Sequence, residues 1–335
     1  MSPRIPVALF VSSFLLVSCG SNETDPVLAP SLPLDVQSNG TRILDLGTLG
    51  GPGSNAEAVN ESGQVVGWSP LASGELHGFL WTETEGMRDL GPGRALKVND
   101  DGVVLMRRPE GYELWSNNGS QTTGLSPAYS VSDMNNQSVL VGQTPDGRAF
   151  IWSAPSGAEV LSGIGRGWSA AYAVNDHGVV AGYAATDHWR GPFLWDAERG
   201  LVPMPTYPGA ITTLPIDINE EGQVAGVAYH ARLHRAFRWS PEEGFIEVGA
   251  GEPASIDRFG NIIGTANAKQ GWSYAFYWTP ATGMTNLHWL APRPISSFGH
   301  DINDMGMIVG QSARFDRRKT GAQGHATLWR VRSSE

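Results

Sequence analysis

The sequence predicts an all-β, seven-bladed β-propeller with four-stranded blades, in which the last blade is closed by the N-terminal strand. Three observations predict it: a unit that recurs seven times within residues 41–335, four short strand signals in each copy, and an orphan copy of the fourth strand ahead of the first unit. A four-stranded unit of about 40 to 45 residues is typical of a propeller blade. No segment with helical periodicity interrupts the series.

Three recurring positions define the unit. A polar residue in the first turn recurs as Asn60, Asn99, Asn135, Asn175, Asn219, Asp257 and Asn303. A tryptophan in the third strand recurs as Trp81, Trp115, Trp152, Trp195, Trp239, Trp278 and Trp329. A glycine seven residues after the polar turn residue recurs as Gly67, Gly142, Gly182, Gly226, Gly264 and Gly310, with Met106 in the one degenerate copy. We expect N-x-x-G to form the hairpin between strands one and two, and the repeated Trp to pack between blades.

The two ends of the chain predict how the ring closes. After Trp329 only six residues remain, too few for the fourth strand that follows every other repeat Trp. The run from Arg42 to Gly47 (RILDLG) is an orphan copy of that fourth strand. We therefore expect the N-terminal strand to complete the seventh blade, which would remove a free sheet edge.

The third strand carries a recognisable tripeptide. Its copies read His77-Gly78-Phe79, Arg148-Ala149-Phe150, Arg235-Ala236-Phe237, Tyr274-Ala275-Phe276 and His325-Ala326-Thr327, whereas Tyr112-Glu113-Leu114 departs most. Together with the opening run from Asp45 to Gly51 (DLGTLGG), these copies resemble the HAF repeat of probable extracellular bacterial proteins. The resemblance spans residues 41–335 and implies secretion and a repeat fold, but it implies no activity or ligand.

The N-terminal segment predicts export and anchoring. Residues 1–18 carry one cation, Arg4, and an apolar run from Val7 to Val17 that is too short to span a membrane, as in a signal peptide. The run ends in Leu-Val-Ser-Cys19-Gly20, which resembles a bacterial lipobox. This resemblance implies that Cys19 is lipidated, that the membrane is contacted only through this anchor, and that Gly20 directs the protein to the outer membrane. An ordinary cleaved signal with an incidental cysteine is the alternative.

Residues 19–40 are rich in Ser, Pro and Asn without apolar periodicity, so we expect them to form a flexible tether after the lipidated Cys19. Cys19 is the only cysteine, which leaves no thiol for a disulfide or a Cys-based metal site. The formal net charge of −10 makes nucleic acid an unfavourable partner, because an acidic surface repels phosphates. The chain is expected to be a monomer without a cofactor.

Two groups of polar residues resemble metal sites only superficially. Residues 99–102 (NDDG) lack the ligand spacing and the distal bidentate acid of a calcium loop. His230 and His234 lie four residues apart on a loop or strand, where that spacing does not place them on one side. No metal site is therefore expected.

The unrepeated aromatic and cationic residues gather on one face of the predicted ring. Because strand direction alternates, the connections from strand two to three and from strand four to the next blade share a face opposite the N-x-x-G turns. The candidate ligand-binding residues there are Trp68, Trp168, His188, Trp189, Arg190, His230, His234, Trp272 and Trp289. Flat aromatic rings beside Arg and His suit the sugars of a glycan or the side chains of an envelope protein. The alternative is that these residues cap blade ends.

Four charged residues could approach the axis. Asp133, Asp217 and Asp301, with Lys97, occupy equivalent positions just before the turn residue. Converging acids would suit a carbohydrate-active enzyme, a polysaccharide hydrolase or lyase. The same position holds Ala58, Ala173 and Ser255 in the other copies, which favours a structural role, so no catalytic residue is assigned. The leading hypothesis is a noncatalytic, lipid-anchored binding or scaffold protein of the cell envelope, and the alternatives are that enzyme or a purely structural envelope subunit.

Overall fold

The computed structural model describes residues 35–38, 41–187, 189–231, 233–267, 272–287, 296–315 and 322–331. All regular secondary structure in these ranges is β-strand. No helix long and apolar enough to cross a membrane occurs among them.

The strands fall into seven antiparallel sheets. Two strands come first in the chain: β1 (Asp35–Ser38) and β2 (Thr41–Asp45). Blade 1 comprises β3 (Asn55–Val59), β4 (Val65–Pro70), β5 (Leu76–Thr82) and β6 (Gly86–Pro92). Blade 2 comprises β7 (Arg94–Val98), β8 (Val104–Arg108), β9 (Gly111–Ser116) and β10 (Gly119–Thr122). Blade 3 comprises β11 (Ser130–Met134), β12 (Leu140–Gln143), β13 (Ala149–Ser153) and β14 (Gly157–Val160).

The remaining blades follow the same order. Blade 4 comprises β15 (Gly167–Val174), β16 (Val180–Thr186), β17 (Arg190–Asp196) and β18 (Gly200–Pro203). Blade 5 comprises β19 (Thr212–Ile218), β20 (Val224–Tyr229), β21 (His234–Ser240) and β22 (Gly244–Ala250). Blade 6 comprises β23 (Glu252–Ile256), β24 (Ile262–Asn267), β25 (Ser273–Thr279) and β26 (Gly283–Asn286). Blade 7 comprises β27 (Ser297–Ile302), β28 (Met307–Phe315) and β29 (Ala322–Arg330), with β2 and β1 added.

This arrangement confirms the predicted seven-bladed propeller. The first strands of consecutive blades contact one another all the way around the ring, including β27 of blade 7 with β3 of blade 1. The first strands therefore line the central axis, and the later strands of each blade lie farther out.

The N-terminal strand closes blade 7 as predicted. β2 pairs with β29, with Ile43 opposite Trp329. β1 then pairs with β2, so part of the segment expected to be a tether forms a fifth strand of this blade. The outer edge of blade 7 is thus formed by a strand from the start of the chain, and the ring is fastened by backbone hydrogen bonds rather than by a disulfide.

The core is divided into seven layers, each between two neighbouring blades. In the layer between blades 7 and 1, Leu328 and Val309 pack with Phe79 and Trp81. Six of the seven repeat tryptophans are almost fully buried, and Trp115 of blade 2 is partly buried. The repeat Trp therefore act in the packing of blades against each other.

Blade 2 lacks both the repeat glycine and the phenylalanine of the third strand, and a buried methionine compensates for the loss. In blades 1, 3, 4, 5 and 6 the register sets the repeat glycine opposite a buried phenylalanine, as with Gly67 and Phe79, and in blade 7 Gly310 lies opposite Thr327. In blade 2, Met106 lies opposite Glu113. The Met side chain is fully buried and takes over the apolar volume that the missing Phe would fill.

The histidine of the third-strand tripeptide links two strands. His77 Nδ1 lies 2.8 Å from Asp89 Oδ1, and His325 Nδ1 lies 2.9 Å from Asp45 Oδ1. The same carboxylates accept from the backbone N–H two residues later, at Gly91 and Gly47. The pair of histidines that the chain retains therefore belongs to the framework.

Candidate functional site

The two flat sides of the ring differ in which connections they carry. We call the side with the N-x-x-G turns the turn face, and the side with the connections from strand two to three and from blade to blade the loop face. The channel between the first strands joins the two faces.

The turn face is organised by the repeated Asn. Asn60 accepts at Oδ1 from the backbone N–H of Gln64 at 2.9 Å, which fixes its own turn. Its Nδ2 donates to the carbonyl of Asn99 in the next blade at 2.9 Å, and Asn303 donates in the same way to the carbonyl of Asn60. Asp257 stands at this position in blade 6 and, as a carboxylate, has no amide to donate. The turn residue thus serves as both a turn former and a link between blades.

A second ring lies beside it, formed by the residue after each turn Asn. Glu61 N–H donates to Asp100 Oδ1 at 2.9 Å, and Asp304 N–H donates to Glu61 Oε1 at 2.8 Å. Burial raises the pKa of Glu61 and of Glu220, and the nearby carboxylates Asp304 and Asp176 respectively raise these pKa values further, against the backbone donors. These carboxylates are used by backbone N–H groups of neighbouring blades, so the ring is framework as well.

The structure brings the four axial residues of the sequence prediction together in the channel. Lys97 Nζ lies 2.8 Å from Asp133 Oδ1. Burial would lower the pKa of Lys97, but the carboxylates of Asp133, Asp301 and Asp217 hold it above its usual value. Burial and the charge of Asp133 raise the pKa of Asp217 to about 7, against the opposing effect of Lys97. Burial also raises the pKa of Asp301.

Each axial aspartate is held by the neighbouring blade. The backbone N–H of Val174 donates to Asp133 Oδ2 at 3.0 Å, and that of Ile256 donates to Asp217 Oδ2 at 2.9 Å. The backbone N–H of Val59 donates to Asp301 Oδ2 at 2.9 Å. In every case the acid reaches the next blade, so these three residues connect blades in pairs.

The small residues at the same position make this pairing possible. Asp133, Asp217 and Asp301 belong to blades 3, 5 and 7, and the blades that they reach carry a small residue at the equivalent position: Ala173, Ser255 and Ala58. The three acids therefore join blades 3 and 4, blades 5 and 6, and blades 7 and 1, and blade 2 has no partner because the number of blades is odd. Lys97 occupies the equivalent position in blade 2 and supplies the cation that faces the three acids.

Blades 4 and 5 carry a set of aromatic side chains towards the loop face, which we call the aromatic arc. We define the arc as Trp168, Tyr172, Tyr183 and Tyr229. The Trp168 and Tyr183 ring centroids are 6.3 Å apart, and Trp168 is 44% exposed. Burial raises the pKa of Tyr172, and the phenols of Tyr183 and Tyr229 raise it further, so these groups lie within electrostatic range of Tyr172.

The phenol hydroxyls of the arc are not used by the framework. None of the three has a hydrogen-bond partner among the described residues, and none is buried. Half-buried hydroxyls usually find a protein partner, as Tyr112 does with the carbonyl of Tyr129 at 2.9 Å. The arc therefore combines three hydroxyls that have no hydrogen-bond partner in the described chain with the exposed indole of Trp168.

A β-bulge that recurs in the first strand of every blade positions Tyr172. In β15 the bulge lies between Ala171 and Ala173, and the extra residue is Tyr172. A bulge re-aims the side chain of the inserted residue. Trp168 and Tyr183 lie on one side of blade 4, because Trp168 pairs with Ala185 and Ala170 with Tyr183.

Four of the other sequence candidates take defined places on the loop face. Trp68 Nε1 donates to Glu57 Oε1 at 2.7 Å, and the Arg94 guanidinium lies 4.7 Å from the Trp68 ring centroid. Trp189 is half-buried against the core layer of blades 3 and 4, as a blade cap would be. Arg190 and Trp272 are exposed at the loop face.

The two predicted histidines of blade 5 each have a partner. His230 Nδ1 lies 3.0 Å from the carbonyl oxygen of Gly209, and His234 Nδ1 lies 2.9 Å from Glu252 Oε1. The His234 ring also contacts Tyr229, with centroids 4.4 Å apart, so it borders the arc. His188 and Trp289 lie outside the described residues, as does the proposed anchor Cys19.

An open cleft of about 990 Å³ lies between β6 of blade 1 and strands β8 to β10 of blade 2. Its polar lining is already paired: Arg108 Nε lies 2.9 Å from Glu113 Oε2. Burial acts to raise the pKa of Glu113, but hydrogen bonds from Ser120 and Arg108 bring it below its usual value. No group of three or more His, Cys, Asp or Glu in the described part of the chain could hold a metal ion.

Comparison with known proteins identifies the fold. No protein-family model matches the chain, and no curated protein matches its sequence. Virginiamycin B lyase from Staphylococcus aureus is similar in structure, with 11% identity and a TM-score of 0.51 over 87% of this chain and 99% of that chain. Its catalytically inactive form with quinupristin gives 9% identity and a TM-score of 0.52 over the same shares of the two chains. TolB from Acinetobacter baumannii gives 14% identity and a TM-score of 0.46 over 79% of each chain. At these identities the likeness concerns the propeller fold alone.

Proposed function

We propose that this chain is a noncatalytic binding protein of the cell envelope, held at the outer membrane by acylated Cys19, which binds a glycan at the aromatic arc. The unused hydroxyls of Tyr172, Tyr183 and Tyr229 beside the exposed ring of Trp168 carry the proposal. A sugar needs a flat apolar surface for its ring and directional partners for its hydroxyls, and the arc offers both.

A glycan fits the loop face better than a protein partner does. Protein interfaces have a contiguous apolar centre, and large apolar patches on a surface mark them. The exposed large apolar residues in the described part of the chain are instead spread over several blades and over both faces: Val160, Trp168, Val202, Ile211, Leu233, Phe259, Trp272 and Met305.

A carbohydrate-active enzyme that uses the axial acids is the weaker candidate. Asp133, Asp217 and Asp301 each accept a backbone N–H from the neighbouring blade, and Lys97 faces them. Because these contacts occupy carboxylate oxygens and connect neighbouring blades, the geometry favours a structural role for the three acids over attack on a sugar.

The binding site is tested with the full chain in detergent on a glycan array, followed by calorimetry with a glycan that binds. Trp168→Ala is expected to weaken binding about tenfold. Changing Tyr172, Tyr183 and Tyr229 to Phe removes only hydroxyls and should cost about three- to tenfold each. Phe259→Ala is the matched control, because this 56% exposed aromatic lies on the turn face. Equal affinity in all variants would reject the arc as the site.

The anchor is tested separately by metabolic labelling with palmitate. The unaltered chain is expected to incorporate the label and to sediment with outer membranes. Cys19→Ser should abolish labelling and leave the protein outside the membrane fraction. Labelling that survives the substitution would contradict the assignment of Cys19.

A further inference from the structure

Four arginines stand apart from the others because they lack a polar partner, although Arg94 lies over the Trp68 ring and Arg107 over the Tyr112 ring. Arg94, Arg107, Arg166 and Arg190 have no hydrogen bond or ion pair with any described residue. Every other arginine whose side chain the structure describes has one, such as Arg108 with Glu113 or Arg199 with Asp196. The difference does not come from a shortage of acids, because the chain has 33 Asp and Glu against 23 Lys and Arg.

All four lie on the loop face. Arg94 begins β7 and Arg107 lies near the end of β8, both in blade 2. Arg166 is in the connection that leads into blade 4, and Arg190 begins β17 of that blade. The unpaired cations of the described chain are thus concentrated on the face that carries the aromatic arc.

Two of them lie directly opposite each other. Arg94 and Arg107 are cross-strand partners in the β7–β8 ladder. Like charges at such positions repel and are destabilising unless a counter-charge lies between them. Both side chains are exposed, so a ligand can supply that counter-charge.

In blade 4 the cation and the arc share one side of the sheet. Trp168 pairs with Ala185, and Ala185 pairs with Arg190. Because directly paired residues point to the same side, Arg190 and Trp168 flank the same surface. A ligand on the arc therefore lies within reach of one unpaired guanidinium.

We infer that the glycan bound at the loop face is an anionic polysaccharide, with acidic groups held by Arg190 and by the Arg94 and Arg107 pair while sugar rings lie on the arc. The inference rests on the proposed glycan-binding function. A guanidinium binds carboxylate and sulfate oxygens through two parallel N–H donors, which suits the acidic groups of uronic acid or sulfated chains. The arginines of blades 2 and 4 are separated by blade 3, so a chain with repeated anionic groups can engage both where a single sugar cannot.

The test uses the full chain in detergent with four probes: oligogalacturonate, dextran sulfate, neutral dextran, and polyglutamate. Binding to one of the two acidic saccharides is expected to exceed binding to dextran by at least about tenfold at low salt and to weaken as salt is added. The two acidic probes distinguish a carboxylate from a sulfate ester as the recognised group.

Variants then locate the contact. The double variant Arg94→Gln, Arg107→Gln and the single variant Arg190→Gln should each reduce affinity for the acidic saccharide by about tenfold or more. Arg199→Gln removes the same charge on the turn face and is expected to have no effect. Because the substituted arginines are exposed, no variant should melt at an appreciably lower temperature than the unaltered chain, and the double variant should melt slightly higher because the repulsion between Arg94 and Arg107 is removed.

Each other outcome rejects the inference in a distinguishable way. Equal binding of dextran and the acidic saccharides, with loss in Trp168→Ala, would overturn the anionic ligand and leave the arc as a glycan site. Binding of polyglutamate as strong as that of the saccharides would overturn it in favour of an acidic protein partner. Binding of no saccharide would reject the proposed function together with this inference.

Discussion

On the turn face each blade binds the next through the same few atoms, whereas on the loop face the hydroxyls of the arc have no hydrogen-bond partner among the described residues. Asn60 donates to the carbonyl of Asn99, and Glu61 accepts from the backbone of Asp304. By contrast the hydroxyls of the arc have no hydrogen bond within the described chain, and the guanidinium of Arg94 contacts the Trp68 ring but has no hydrogen bond or ion pair there. The repeat therefore specifies the ring at one face and leaves the other available to a ligand.

The largest effect on stability is expected when one hydrogen-bonded link between blades on the turn face is removed. Asn60→Ala should lose the bond to Asn99 and the bond that fixes its own turn, and should lower the free energy of unfolding by about 2 to 3 kcal/mol. Urea titration of both chains measures the change. Asn118→Ala, an exposed hairpin position on the same face, is the control and should change stability by less than about 0.5 kcal/mol.

The channel between the two faces should respond to pH. The pKa of Asp217, about 7, lies above its unfolded value, so the proton it binds in the fold favours folding. That contribution is complete below about pH 4 and is lost as pH rises to 7. Asp217→Asn cannot ionise and can still accept from Ile256, so it should stabilise the protein by on the order of 2 kcal/mol at pH 8 and have little effect at pH 4. Equal melting of both chains at pH 8 would refute this.

The one missing amide link between blades on the turn face could be supplied by a substitution. Asp257 is the one turn residue without an amide, and burial raises its pKa. Asp257→Asn would supply a donor toward the carbonyl of Asn303, as Asn219 does toward Asp257 at 2.8 Å. We expect a gain of about 1 kcal/mol at pH 7, measured by urea titration. A loss of stability would show that the carboxylate itself is needed, as the acceptor for Asn261.

The smallest effect on stability is expected on the loop face. Trp168→Ala should change the free energy of unfolding by less than about 1 kcal/mol, because the ring is 44% exposed. Calorimetric melting beside Phe259→Ala checks this. A large loss would mean that Trp168 supports the ring, and the difference between the faces would then be smaller than we describe.

The framework could be predicted from sequence because it repeats. The seven Trp, the seven turn residues and the orphan strand near Ile43 each specify an architecture that the structure confirms. The approach of Asp133, Asp217 and Asp301 to the axis could also be predicted, because equivalent positions in a ring converge. The hydrogen bonds of these acids to the next blade could not be predicted, because they require a small residue such as Ala173 at the equivalent position of that blade.

The arc could not be predicted in the same way. Strict alternation along β15 would place Tyr172 and Ala173 on opposite sides of the sheet, and the bulge overrides this rule. The sequence pattern selected Trp168 and Arg190 because they are unrepeated, but it passed over Tyr183 and Tyr229, which lie within strands. An unrepeated aromatic inside a repeat strand is a signal that could have found them.

The strand that closes blade 7 also sets the order of assembly. β2 lies near the beginning of the described chain, and its partner β29 is the last described strand. Until β29 is synthesised, β2 has no sheet to join, so the ring cannot close before the last blade is made. The slowest step should be this one long-range pairing, since the strands it joins are separated by nearly the whole chain. A circular permutant in which all four strands of each blade are contiguous should fold faster, because no blade then depends on pairing between the two ends of the chain.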